Sequence, residues 1–254
     1  FSENLIFLPD TYQPNEEEKK VSEKIFTKKE LCLPDSKFVF ACFNSHQKIM
    51  PEMFKLWMKI LRNKENSVLW LLEDNIFSHN NLKKEAEKLG VKSQRIIFAK
   101  NLPLDQHLSR IRHTDLFLDT FPYNAHTTCS DALREGLPVL TLQGKSFASR
   151  VASSLLTTMQ LQELITTNYE DYEKLAIKIA ERRKKEGIIT EENTPGAGER
   201  GLIGKSVDEI GPGFDRGFLN TEADRKAIGL KGSKRMAKEG GSKSLGALIA
   251  SKLV

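Results

Sequence analysis

The chain has 254 residues, 39% of them hydrophobic and 29% charged, enough for one large domain or two small ones. Thirty-nine Lys and Arg against 34 Asp and Glu leave a formal charge of +5, with acids interleaved among the bases, which argues against the concentrated basic stripe of a nucleic-acid binder. No run of about 18 apolar residues exists, so a membrane-spanning helix is excluded.

In chain order, residues 5–8 suggest a strand and the polar stretch 14–20 a linker or surface helix. Residues 37–42 (KFVFAC) are short, apolar and β-rich. Residues 51–61 open with Pro51 and carry Met53, Phe54, Trp57, Met58, Ile60 and Leu61 at helical spacing. Residues 67–72 (SVLWLL) form a continuous apolar run, the mark of a strand buried on both faces. Residues 81–89 read as a helix stopped by Gly90. Residues 95–99 predict a third strand, 105–112 a short helix, 115–119 a fourth strand and 128–135 a helix ending at Gly136. Residues 138–142 predict a fifth strand, with helices over 147–156 and 169–183. This alternation predicts right-handed βαβ units in a doubly wound α/β fold, with ligands at the carboxyl ends of a parallel sheet.

After the basic run at 181–185 the composition changes. Thirteen of the 16 glycines lie in 187–254, while both Trp and all four Tyr precede it. Glycine raises the entropic cost of folding, and aromatics supply the burial that offsets it. The tail is therefore expected to be weakly ordered, with one short helix over 244–254. The expected organisation is a remnant of an upstream lobe and connection over 1–36, a Rossmann-like lobe over 37–183 and a Gly-rich tail over 184–254. The opening FSENLIFLPD has neither signal-peptide pattern nor initiator Met, which suggests a fragment. Cys32, Cys42 and Cys129 are too few and scattered for a disulfide framework or a Cys-type zinc site, and read as reduced thiols of a cytoplasmic protein.

Three strand-end loops carry candidate chemistry. In DTFPYNAHTTCSD, residues 119–131, a strand runs through a loop into a helix near Thr127 or Thr128. Free amides and the positive end of a helix dipole there suit a phosphate. Ordinary capping explains the same residues, with Thr128 as N-cap and Asp131 three positions on. In FNSHQK, residues 43–48, Lys48 can neutralise a phosphate as a point charge or be a solvated loop lysine, and His46 is equally ambiguous. His107 and Arg110 share a helix face, either against a base or ribose or as an incidental basic pair. No GxGxxG, HExxH or GxSxG occurs, and the Gly198–Ser206 stretch has Glu199 where a phosphate loop needs Gly.

These residues resemble the C-terminal catalytic lobe of the protein O-GlcNAc transferase and SPINDLY family, over about residues 5–179. The likeness rests on LIFLPDTYQPN, FNSHQKI, SVLWLLEDN and LPLDQHLSRIRHTDLFLDTFPYNAHTTCSDALREGLPVLTLQGKSFASRVASSLL. It implies a GT-B fold of two Rossmann-like lobes, usually behind tetratricopeptide repeats. It implies metal-independent, inverting transfer of GlcNAc from UDP-GlcNAc, or fucose from GDP-fucose in some members, to protein Ser and Thr hydroxyls. No cofactor is implied. Carried over, Lys48 contacts the diphosphate, His126, Thr127 and Thr128 hold phosphates, Asp131 binds ribose, and His107 and Arg110 lie beside the base. Lys48 and His126 are thus the expected catalytic pair. Ser45 stands where the family usually has an amide side chain, Leu104 where animal enzymes have Lys, and Tyr123 where they have Cys. The upstream lobe with the acceptor-side histidines is missing from this stretch, so the alternative is a non-catalytic nucleotide-binding module. Expected partners are a nucleotide sugar and an acceptor protein, not a membrane or nucleic acid.

Overall fold

The structure, a computed structural model, describes residues 11–13 and 19–185. The strand expected at 5–8, residues 14–18 of the expected linker or surface helix, and the expected tail beyond Lys185 lie outside the described residues.

Six strands are described: β1 (Phe38–Cys42), β2 (Ser67–Leu72), β3 (Ile96–Ala99), β4 (Leu116–Leu118), β5 (Val139–Leu142) and β6 (Ile165–Thr166). They form one sheet in the order β3-β2-β1-β4-β5-β6, and every pair is parallel. β1, β4 and β5 are buried at every position, as their apolar runs require of strands covered on both faces. β6 went unforeseen: it is two residues long, pairing Thr141 with Ile165 and Leu142 with Thr166.

Six α-helices connect and flank the strands: α1 (Pro51–Asn63), α2 (Ile76–Lys88), α3 (Leu104–Ile111), α4 (Thr127–Arg134), α5 (Val151–Thr158) and α6 (Tyr169–Lys185). α1 begins with Pro51 in its first turn and buries Met53, Phe54, Trp57, Ile60 and Leu61. α2 starts five residues before its expected beginning, because the Asn75 side chain accepts from the Ser78 amide at 2.9 Å and caps it. It ends as expected at Gly90, whose φ of +79° suits glycine. There Gly90 N–H reaches Glu87 O and Val91 N–H reaches Ala86 O, a Schellman closure. The single helix expected over 147–156 is instead a 3-10 turn (Phe147–Ser149), a break at Arg150 and then α5. The break follows from a tight return in which Gly144 N–H donates to Ser149 O at 2.9 Å. A Cβ on Gly144 would lie 2.5 Å from Ser149 Oγ, so only glycine fits.

Residues 19–36 contain neither helix nor strand, yet Phe26, Leu31 and Leu33 belong to the same core as the sheet. Burying each such side chain is worth about 1.5–3 kcal/mol. The strand order reverses between β1 and β4, and in an open parallel sheet that reversal leaves a crevice at the carboxyl ends.

Candidate functional site

The loops leaving β1 and β4 meet at that crevice. Asp119, directly after β4, is fully buried. Its Oδ1 accepts from the amides of Thr120 (2.8 Å) and Ala125 (2.6 Å), and its Oδ2 accepts from Thr141 Oγ1 (2.7 Å). Burial pushes its carboxyl up to about 7, against the pull of those hydrogen bonds. Asn44, two residues after β1, is also buried. Its amide donates to Thr120 Oγ1 at 2.8 Å and, more weakly, to Asp119 Oδ1 at 3.4 Å, and its carbonyl accepts from Thr128 Oγ1. The two loops are thereby locked together inside the protein.

α4 begins at Thr127 with His126 as N-cap, and no side chain caps it. The alternative reading of this stretch, a capping box with Thr128 as N-cap and Asp131 three positions on, is therefore not what forms. The helix opens one residue early, Thr128 already lies in its first turn, and its hydroxyl bonds Asn44. Asp131 pairs with Lys19 Nζ at 2.5 Å. The first-turn amides of α4 have no acceptors within the helix, a consequence of helix geometry.

Lys48 lies across from α4. Its Nζ donates to Asn124 O at 3.0 Å and sits 4.1 Å from the centre of the Tyr123 ring. Burial lowers its pKa, and Asp119 opposes that shift. The Tyr123 ring also stacks on His126, centroids 5.0 Å apart. Burial and then the Lys48 ammonium hold His126 below the usual histidine range, so the imidazole is neutral at pH 7. Residues 11–13 and 19 lie over this surface. Tyr12 Oη is 2.8 Å from His126 Nδ1, and Gln13 Nε2 donates to Thr127 Oγ1 at 3.2 Å.

The structure brings Lys48, His126, Thr127, Thr128 and Asp131 together and places Ser45 exposed on the β1 loop, where its carbonyl accepts from Lys48 N–H. His107 and Arg110 share a face of α3, as expected, but Arg110 is only 1% exposed. Its Nε and Nη2 reach His107 Nδ1 at 3.1 and 2.7 Å, Nη1 donates to Lys100 O, and the guanidinium packs near the Phe43 and Trp70 rings. Burial and then Arg110 drive the His107 pKa down to about 4, so this ring is neutral and Nδ1 accepts. His46 is anchored structurally, Nε2 to Leu72 O at 2.7 Å and Nδ1 to Ser78 Oγ at 2.9 Å. Sequence reasoning assigned nothing to Asn44 or to Tyr12, Gln13 and Lys19. Asn44 had a local signal: like Asp119, it is among the first polar residues after an apolar strand. The other three had none, being more than 100 positions from their partners. Among the described residues no group of three His, Cys, Asp or Glu could hold a metal ion, and no helix is long and apolar enough to cross a membrane.

The family described as glycosyl transferase family 41 matches residues 9–192, a stretch that contains every group just described. The chain belongs to glycosyl transferase family 41. Among relatives of this family 41 chain, the probable UDP-N-acetylglucosamine–peptide N-acetylglucosaminyltransferase SEC of Arabidopsis thaliana is 34% identical over 198 residues, covering 76% of this chain and 20% of the relative. The UDP-N-acetylglucosamine–peptide N-acetylglucosaminyltransferase of Caenorhabditis elegans is 35% identical over 147 residues, covering 58% and 13%. A solved mutant O-GlcNAc transferase of Thermobaculum terrenum superposes with a TM-score of 0.58 at 27% identity, covering 80% of this chain and 36% of that one. The chain thus spans about a fifth or less of the length of these curated relatives. The fold is accordingly a Rossmann-like lobe of the GT-B architecture.

Proposed function

We propose that this chain is the donor-binding lobe of an inverting protein O-GlcNAc transferase, which moves GlcNAc from UDP-GlcNAc to Ser and Thr hydroxyls. The observation that carries the reading is the convergence of Lys48, His126 and the opening turn of α4 where the strand order reverses. A diphosphate placed there meets first-turn amides, the hydroxyls of Thr127 and Thr128, and one ammonium group. Asp131 takes the ribose hydroxyls, and His107, a neutral ring beside Phe43, edges the base.

In inverting transfer the acceptor hydroxyl oxygen bonds the anomeric carbon from the face opposite the nucleotide, and its proton passes to a base or to water on the acceptor side. The bond from that carbon to the β-phosphate oxygen breaks, and its electron pair leaves with UDP. Negative charge therefore grows on the diphosphate as the sugar departs. Lys48 and the α4 amides are preorganised donors for that charge. One such donor typically accounts for about 3–4 kcal/mol of barrier lowering. His126, held neutral, contributes hydrogen bonding rather than charge. The acceptor side and any tetratricopeptide repeats belong, in this reading, to further parts of a longer cytoplasmic protein.

Calorimetry of the folded chain with UDP tests the reading. Saturable binding that Lys48→Ala weakens without loss of helicity is expected. No heat at millimolar UDP from a folded sample overturns it.

A further inference from the structure

The buried groups behind the site do more than fill space. Asp119 adds side-chain bonds between loops that leave neighbouring strands of the sheet. It bonds the amide of Ala125, the residue immediately before His126, and the hydroxyl of Thr141 on β5. Asn44 extends the link to the β1 loop and, through Thr128 Oγ1, into the first turn of α4. The Lys48 side chain reaches the same segment by its bond to Asn124 O. Lys48 and His126 lie on different loops, 78 positions apart in sequence. Their separation is set by the pairing of β1 with β4 and, beyond the strand ends, by this internal network.

We infer that Asp119 and Asn44 are positioning residues for the donor site, setting the α4 entrance against the Lys48 loop without touching the ligand. This rests on the donor-site reading above. A buried carboxylate that accepts two consecutive-loop amides fixes the backbone on either side of the turn at 120–125, and interacting buried networks of this kind specify one geometry. Preorganised donors lose their effect when displaced by about an ångström. The chemistry predicts a particular hierarchy. Asn in place of Asp119 keeps an Oδ1 that accepts from Thr120 and Ala125, and its NH₂ can donate to Thr141 Oγ1. Ala keeps neither.

The experiment compares Asp119→Asn, Asp119→Ala and Asn44→Ala in the full chain, by UDP calorimetry, thermal melting and the ¹⁵N shifts of His126. Thr166→Ala, which removes a buried hydroxyl bond to Thr141 O on the far side of β5, serves as a stability control. Expected is a loss of UDP affinity of about tenfold or more for Asp119→Ala and Asn44→Ala, with Asp119→Asn within about threefold of wild type. Thr166→Ala should lower the melting temperature while leaving UDP affinity unchanged. The inference is overturned if folded Asp119→Ala binds UDP like wild type, or if Asp119→Asn is as impaired as Asp119→Ala. Should Asp119→Ala fail to fold, Asn44→Ala decides by the same criterion. If wild type itself binds no UDP, the donor-site reading falls separately. The positioning claim then stands if the His126 shifts move in Asp119→Ala but not in Asp119→Asn, and falls if they do not.

Discussion

Two junctions of the sheet use the same ingredients and reach opposite results. After β3 and after β4 the chain runs from a strand end through a loop into a helix with a histidine at or near its start. At the β4–α4 junction, His126, Thr127 and Thr128 stay partly exposed, while the buried Asp119 and Asn44 hold the backbone behind them. At the β3–α3 junction the strongest cation, Arg110, turns inward, bonds His107 and Lys100 O, and lies near two aromatic rings. The difference is one of supply. A buried guanidinium needs acceptors, and the protein provides them; α4's first amides have no acceptor within the helix and, among the described residues, no side-chain cap.

The sharpest break between the junctions is in stability. Arg110→Ala strands His107 Nδ1 and the Lys100 carbonyl in a buried setting and opens space beside Trp70. A loss of about 3 kcal/mol or more is expected in chemical denaturation. A loss below about 1 kcal/mol would mean that Arg110 is free to face a ligand after all.

Acid separates the junctions next. His107 is neutral in the fold, with a pKa near 4 against an ordinary 6.5. Its depressed value means that the stability it supports is fully present above about 6.5 and is lost as pH falls toward 4. The loss reaches at most about 3.5 kcal/mol, from 1.36 kcal/mol per pKa unit. His107→Gln should flatten that limb of a stability-versus-pH curve. Asp119 acts with the opposite sign. Its carboxyl is raised from 3.8 to about 7, so stability falls as pH rises through that window. Lys48, Cys42, Cys129 and Tyr172 are the titratable groups around it. Asp119→Asn should therefore gain on wild type between pH 5 and pH 8, estimated as a shift in denaturation midpoint. An unchanged difference across that range would place the proton elsewhere.

At the β4–α4 junction the expected effects are on binding. Lys48→Ala removes a charge-assisted contact of about 1.5–3 kcal/mol, which is roughly 10- to 100-fold in UDP affinity. The melting temperature should hardly move, because among the described residues the Lys48 ammonium makes one hydrogen bond, to a backbone carbonyl. A fall in stability with unchanged UDP binding would make Lys48 the counterpart of Arg110, and the contrast between the junctions would vanish.

The contrast also marks what the amino-acid pattern can express. Apolar runs such as SVLWLL announce β2 because a strand buried on both faces has no polar side to interrupt it. The same logic fails for β6, whose two residues hold no pattern. The start of α2 was missed because Asn75, Ser78 and His79 look like a loop until the Asn75 side chain is seen capping the helix. That Lys48, His126, Thr127, Thr128 and Asp131 gather at one end of the sheet was legible, because polar residues that follow buried parallel strands stand at the carboxyl ends. Arg110 was misleading for a physical reason: helical spacing puts it on His107's face, but spacing is silent on which way that face looks. Only the rings of Phe43 and Trp70, far apart in sequence, make it interior.

The smallest predicted effect concerns the segment laid over the α4 entrance. Lys19 and Asp131 pair with side chains only 11% and 6% exposed, so the carboxylate assigned to ribose is already engaged. Nucleotide binding must exchange the ammonium for ribose hydroxyls; breaking a largely buried pair is unfavourable, and the new ribose hydrogen bonds offset most of it, leaving a net cost of up to about 1 kcal/mol. Lys19→Ala should therefore tighten UDP binding by about two- to fivefold. Inorganic pyrophosphate, which has no ribose, should gain nothing. The control matters because Lys19 is also a cation near the proposed diphosphate. If Lys19→Ala weakens UDP and pyrophosphate alike, Lys19 is a phosphate contact, and it belongs to the wall of the donor site rather than to a cover that the nucleotide displaces.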